Sequence, residues 1–215
     1  MSITGNRSFI TILLEPKISG SNLTNIKTFR GVAILSMKNG KVNMMDRNLM
    51  PALINGVQES VNDGAKGLIV RSDIPNIFCA GLDIKELHNN KTEEEMKSMI
   101  EFWHFLQDCW FNLYNLKIPM VAAVNGAAIA GGCLIACCAD HRIMINNPKY
   151  RIGYSAPMLG MVTPTFVMST FQGIVGKREA ELEAFIVQSG NQMTEYFPVV
   201  MIMFSIAGHV KIVAR

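Results

Sequence analysis

Short apolar runs rich in β-branched side chains, at residues 9–14, 31–37, 67–71, 120–124 and 141–145, predict strands, each bounded by turn formers. The polar stretch Ser19, Gly20, Ser21 and Asn22 reads as the turn or loop of a hairpin-like opening joining the first two runs. Leu49, Leu53, Val57 and Val61 recur every four residues and predict an amphipathic helix, with Asp46 as its cap, Pro51 tolerated in its first turns and Gly64 at its end. Thr92 followed by Glu93, Glu94 and Glu95 marks a second helix start, where carboxylates suit the macrodipole. Met96, Ile100, Trp103, Leu106, Trp110 and Leu113 continue that helix as one apolar face, read as core rather than as a cofactor box. Another apolar helix begins near Gly131-Gly132. The alternation of strand, loop and helix predicts an α/β layered fold, and no repeat of fixed period stands out.

Composition narrows this picture without changing it. A chain of 215 residues with 49% apolar and 17% charged positions has the material for a substantial buried core. Its net charge of +3 is dispersed, without a basic block, so nucleic acid is not implied. Five cysteines (Cys79, Cys109, Cys133, Cys137, Cys138) without a secretory leader pattern or a CxxC pair argue against a disulfide framework and against a metal site, and fit buried small hydrophobes. The longest uncharged run near the end, residues 197–210, is too short to span a bilayer and reads as a core segment or a misplaced tail. Glu15 and the expected first strand interrupt any amphipathic presequence pattern in the first thirty residues.

Two glycine-containing loops follow strands: Phe78-Cys79-Ala80-Gly81-Leu82-Asp83, and Asn125 through Gly131-Gly132-Cys133. A glycine lets a backbone N–H approach a ligand closely, and a helix start leaves unpaired N–H groups. Two such donors converging on one oxygen would form an oxyanion hole, whereas each loop taken singly is equally a tight turn. Neither matches a GxGxxG or Walker A pattern.

In this order the segments resemble the crotonase (enoyl-CoA hydratase/isomerase) superfamily, from about Gly31 to about Gly190. The likeness is strongest in the two loops with Ile84 and in Ala139-Asp140-His141-Arg142-Ile143. Asn147-Pro148-Lys149-Tyr150-Arg151-Ile152-Gly153, followed by Leu159-Gly160-Met161-Val162-Thr163-Pro164, looks most like the delta isomerase branch. The resemblance implies a crotonase-like spiral of ββα repeats over residues 1–190 and an acyl-CoA or enoyl-CoA thioester of fatty acid β-oxidation as ligand. Coenzyme A is then part of the substrate, and no separate cofactor is expected. The backbone amides of Ala80 and Gly131 would polarise the thioester carbonyl. Lys41, Val42, Asn43, Gly81, Leu82, Asp83, Ile84 and Ser155 would complete the binding site. A homotrimer in the mitochondrial matrix is also implied, with peroxisome and cytoplasm as alternatives.

The sequence departs from the family where the chemistry is done. The isomerase glutamate falls on Ala156 and the second glutamate, that of the hydratases, on Leu134, and neither side chain accepts a proton. Asp83 reads as a structural cap and Asp140 as structural, while His88 and His104 belong to no set of nucleophile, base and orienter. From about Asn191 the likeness ends, so residues 191–215 are taken as a divergent apolar segment, with the family's C-terminal helical region shortened or altered. Three readings follow: an isomerase-like protein of weak or absent activity, a non-catalytic acyl-CoA-binding or oligomer-partner protein, or a non-functional or mis-assembled isoform.

Overall fold

The computed structural model describes residues 17–88, 92–156, 161–178, 180, 200–204 and 210–213. An antiparallel hairpin of β1 (Lys17–Gly20) and β2 (Thr24–Phe29) leads into β3 (Val32–Met37), and from there the chain runs strand, shorter strand, helix four times. The first turn is β3, β4 (Met44–Met45) and α1 (Leu49–Asn62). The second is β5 (Gly67–Ser72), β6 (Asn76–Cys79) with β7 (Gly81–Leu82), the short α2 (Lys85–His88) and the long α3 (Glu93–Tyr114). The third is β8 (Met120–Val124), β9 (Gly126–Ile129) and α4 (Gly131–Cys138). The fourth is β10 (His141–Ile145), β11 (Ile152–Gly153) and α5 (Thr165–Val175).

Successive turns stack, so the first strands β3, β5, β8 and β10 are parallel neighbours in one sheet. The second strands β6, β9 and β11 make a three-stranded parallel sheet, and β4 pairs with β7. This is the expected ββα spiral. Its turns begin at residues 32, 67, 120 and 141, unequal intervals that a search for a fixed period does not detect. At the far edge β12 (Val200–Phe204) pairs parallel with β10, and β13 (Val210–Val213) pairs antiparallel with β12. The late apolar run thus contributes sheet.

Local chemistry accounts for the helices. Asp46 Oδ1 accepts from the Asn48 and Leu49 N–H groups at 3.0 and 2.7 Å and starts α1, and Gly64, with φ +79°, follows its end. Thr92 and Glu95 form a full capping box at α3. Helix α4 is apolar on every side and correspondingly buried from Gly131 to Cys137. Its last carbonyls are met by Arg142, whose Nη1 lies 2.7 Å from the Ala139 oxygen. Asp140 Oδ2 accepts from the Met120 N–H at 2.7 Å, the structural role expected of it.

The core face of α3 is rotated from the expected one. Phe102, Leu106, Cys109 and Leu113 are buried, whereas Met96 and Ile100 are exposed. Trp103 and Trp110 lie at the border, half-buried against the core. The first predicted strand, residues 9–14, lies outside the described residues. The stretch read as a loop contributes β1, whose Gly20 turns into β2. Strands β2, β4, β6, β7, β9 and β11 and helices α2 and α5 are not among the predicted elements.

Cys79 and Cys109 are buried where α3 packs on the spiral. Burial pushes both thiols up to about 12 from an ordinary 9.0. Because the unfolded thiols ionise first, stability is full below about pH 9 and falls as pH rises through 9 to 12. Denaturant titrations should give a flat free energy from pH 7 to 8 and a loss on the order of 1–2 kcal/mol per thiol near pH 10.5. The double variant Cys79→Ala/Cys109→Ala should flatten that slope.

Candidate active site

The two glycine loops meet because neither carries a side chain at the point of contact. Gly81 has φ +103°, and a Cβ there would sit 3.0 Å from the Ala130 Cβ and 3.4 Å from the Gly131 nitrogen. A Cβ on Gly131 would reach within 2.5 Å of Met45 Sδ and 3.5 Å of the Gly81 Cα. Ala130 is held at φ +49° and ψ −107°, an arrangement that costs on the order of 1–3 kcal/mol and is concentrated at functional sites. Its N–H donates to the Gly153 carbonyl at 2.8 Å and its own carbonyl accepts from Leu134 at 3.0 Å, so both neighbours fix it.

The loops border a largely apolar cavity of about 360 Å³. Ala80, Leu82, Ile84, Gly131 and Ser155 line it, together with Leu134 and Ala156. Its far wall comes from α3 (Met99, Trp103, Leu106) and from residues 161–164 with Val167 of α5. Among the described lining residues there is no Asp, Glu, His, Lys or Arg, and Tyr154 is the one ionisable side chain. Burial, reinforced by the neighbouring Cys133, Cys137 and Cys138 thiols, holds the Tyr154 phenol well above its ordinary 10.0. It stays neutral and is a poor proton acceptor.

Several residues expected at the site are used elsewhere. The Ala80 N–H donates to the Val42 carbonyl at 3.0 Å, so the amide assigned to a ligand is already satisfied within the protein. Two residues on, Leu82 pairs with Met45, and the Asp83 N–H donates to the Met45 carbonyl at 3.1 Å. With the Asp83 N–H on β4, the adjacent Leu82 N–H faces the other way; Ala80 and Asp83 both reach this side because Gly81, at φ +103°, interrupts the alternation. Gly131 opens α4, where no carbonyl of the same helix can accept its N–H.

Asn43, expected beside coenzyme A, is fully buried and bonded inward. Its Nδ2 donates to Ser72 Oγ at 2.8 Å and to the Phe78 carbonyl at 3.0 Å, and its Oδ1 accepts from the Asn39 N–H at 2.7 Å. It is a clamp that ties the segment before β4 to the strand leading into Gly81. Lys41 is exposed, and Lys41, Val42, Gly81 and Asp83 are not among the residues lining the cavity. Asp83 Oδ1 accepts from the Lys85 N–H at 3.0 Å, the expected cap, and Glu86 is ion-paired with Arg47 at 2.8 Å. Arg47 also donates to Ser98, joining α2 to α3 beside the cavity. No helix among the described residues is long and apolar enough to cross a membrane.

The sequence profile described as enoyl-CoA hydratase/isomerase matches residues 27–195. The chain belongs to this family. It is 36% identical over 152 residues to mouse enoyl-CoA delta isomerase 1, mitochondrial, covering 70% of this chain and 51% of the mouse protein. It is 31% identical over 123 residues to human methylglutaconyl-CoA hydratase, mitochondrial, covering 56% of this chain and 35% of that one. The crystal structure of human mitochondrial delta3-delta2-enoyl-CoA isomerase superposes with a TM-score of 0.76 at 29% identity, over 85% of this chain and 70% of the human one. The chain spans about half the length of the curated isomerases it matches.

The clamp role of Asn43 is measurable. Asn43→Ala leaves the Asn39 N–H, Ser72 and the Phe78 carbonyl short of partners and should lower unfolding free energy by about 1–3 kcal/mol in urea titrations. An unchanged midpoint would contradict the clamp.

Proposed function

We propose that this protein binds an acyl-CoA or enoyl-CoA thioester, with the carbonyl oxygen held between the N–H groups of Leu82 and Gly131. The supporting observation is the contact of the two glycine loops at the edge of an apolar cavity of about 360 Å³, a size within the usual range for small-ligand sites. Charge that develops on the carbonyl oxygen as a C2 proton leaves would be stabilised by the two amides, each worth about 2.7–4 kcal/mol in comparable sites. The relatives named delta isomerase favour the shift of a double bond from 3-enoyl to trans-2-enoyl thioester as the reaction to which this site is related. The mitochondrial names of the relatives carry the proposal of that compartment. Trimeric assembly, implied by the resemblance, and the lack of a cofactor apart from coenzyme A within the substrate are proposed with it.

That reaction needs a group to carry the proton from C2 to C4. Leu134 and Ala156 line the cavity and have no such group, Tyr154 is held neutral, and Asp83 and Glu86 are engaged in a cap and an ion pair. The proposed activity is therefore binding with weak or absent isomerisation. The apolar chamber supports a second reading, a non-catalytic acyl-CoA-binding or oligomer-partner protein, as strongly as it supports a slow enzyme. Loss of a positioned base costs on the order of 10²–10⁴ in rate. Calorimetry should detect octanoyl-CoA binding to the folded wild type. Ala156→Glu should raise conversion of 3-enoyl-CoA to trans-2-enoyl-CoA by about 10²–10⁴-fold. Absence of binding would overturn the ligand, and wild-type turnover equal to that of Ala156→Glu would overturn the account of Ala156.

A further inference from the structure

The cavity shares part of its lining with a second space. Trp103, Val162 and Pro164 also line a second, open groove of about 640 Å³, together with Gln107, Thr165, Phe166 and Ser169. Trp103 is half-buried, packed on the core at the border of α3's buried face. Its neighbours along the helix differ on the two sides: Met99 and Leu106 face the inner cavity, and Gln107 faces the outer groove. Val162 is 91% exposed and Ser169 is exposed, so the outer groove is open to water where the inner cavity is largely apolar and more enclosed.

We propose that Trp103 is the acyl-length determinant of this protein: it stands between an inner chamber that desolvates the tail and an outer groove that leaves it wet. This rests on the acyl-CoA reading above and adds the substrate class. The inner chamber of about 360 Å³ holds about a dozen carbon-sized groups at ~30 Å³ each, including the thioester end. The fitting ligand is a medium-chain acyl thioester of about ten carbons. Each methylene buried up to that length contributes fully, and each one beyond it passes Trp103 into water and contributes little.

The test is a calorimetric series of saturated acyl-CoA thioesters from four to sixteen carbons, each below its micelle concentration. In the wild type the association constant should rise by up to about fourfold per methylene, the equivalent of ~0.8 kcal/mol per buried CH₂, and level off near ten carbons. Trp103→Ala joins the two spaces and should move the levelling point to fourteen carbons or beyond, by the ~30 Å³ rule used above. Trp103→Leu, which retains more of the packing, should move it less and guards against a variant that fails to fold. Adding Ser169→Trp to Trp103→Ala refills the outer groove and should return the levelling point to about ten. A gain that continues evenly to sixteen carbons in the wild type, or a profile indifferent to Trp103→Leu and Trp103→Ala in folded protein, would overturn the role of Trp103 while leaving acyl-CoA binding intact. No binding at any length would overturn both.

Discussion

The structure depends on one close approach, the backbone of Gly81 against the start of α4 at Gly131. A side chain at either position would meet protein, at 3.0 Å from the Ala130 Cβ and the Ile129 oxygen in one case and 2.5 Å from Met45 Sδ in the other. The strands leading into that contact belong to different turns of the spiral, so the contact exists only once the turns are stacked. The positive φ of Ala130 is stored there and is held by Gly153 on one side and Leu134 on the other. Asn43 serves the same end from the opposite direction, by fixing the carbonyl of Phe78 three residues before Gly81.

Around that contact the chain has arranged a largely apolar chamber. Largely apolar lining strengthens any hydrogen bond made to a ligand oxygen and raises the cost of an unpaired charge. Tyr154 reports the same environment, since its phenol is pushed toward the neutral form by burial first and by the nearby thiols second. This is the lining that the proposed thioester carbonyl and acyl tail would meet. Among the chamber's described lining residues no carboxylate, imidazole or amine is present.

Much of this was legible in the sequence, and the parts that were not share a physical cause. Helix α1, strands β5, β8 and β10 and the capping box of α3 follow from periodicity and local side chains, which short-range chemistry fixes. The family and the location of Leu134 and Ala156 follow from motif order. The engagement of the Ala80 amide by Val42 did not, because it depends on which edge of the 78–83 segment meets β4. The partner strand has only two residues, Met44 and Met45, and nothing in its sequence marks it. The inward bonding of Asn43 was not legible for the same reason: its partners lie 29 and 35 residues away. The face of α3 was misjudged by a fraction of a turn, since Met96 and Ile100 fit the apolar period while the packing partners select Phe102 and Cys109.

The state of a bound carbonyl reports most directly on the two amides. Infrared difference spectroscopy with butanoyl-CoA carrying a ¹³C-labelled thioester carbonyl reads the strength of the hydrogen bonds that the oxygen accepts. Donation from Leu82 and Gly131 predicts a carbonyl band shifted to lower wavenumber than in water and narrowed by a single fixed environment. A band at or above its position in water, in a sample that binds the thioester, would contradict it.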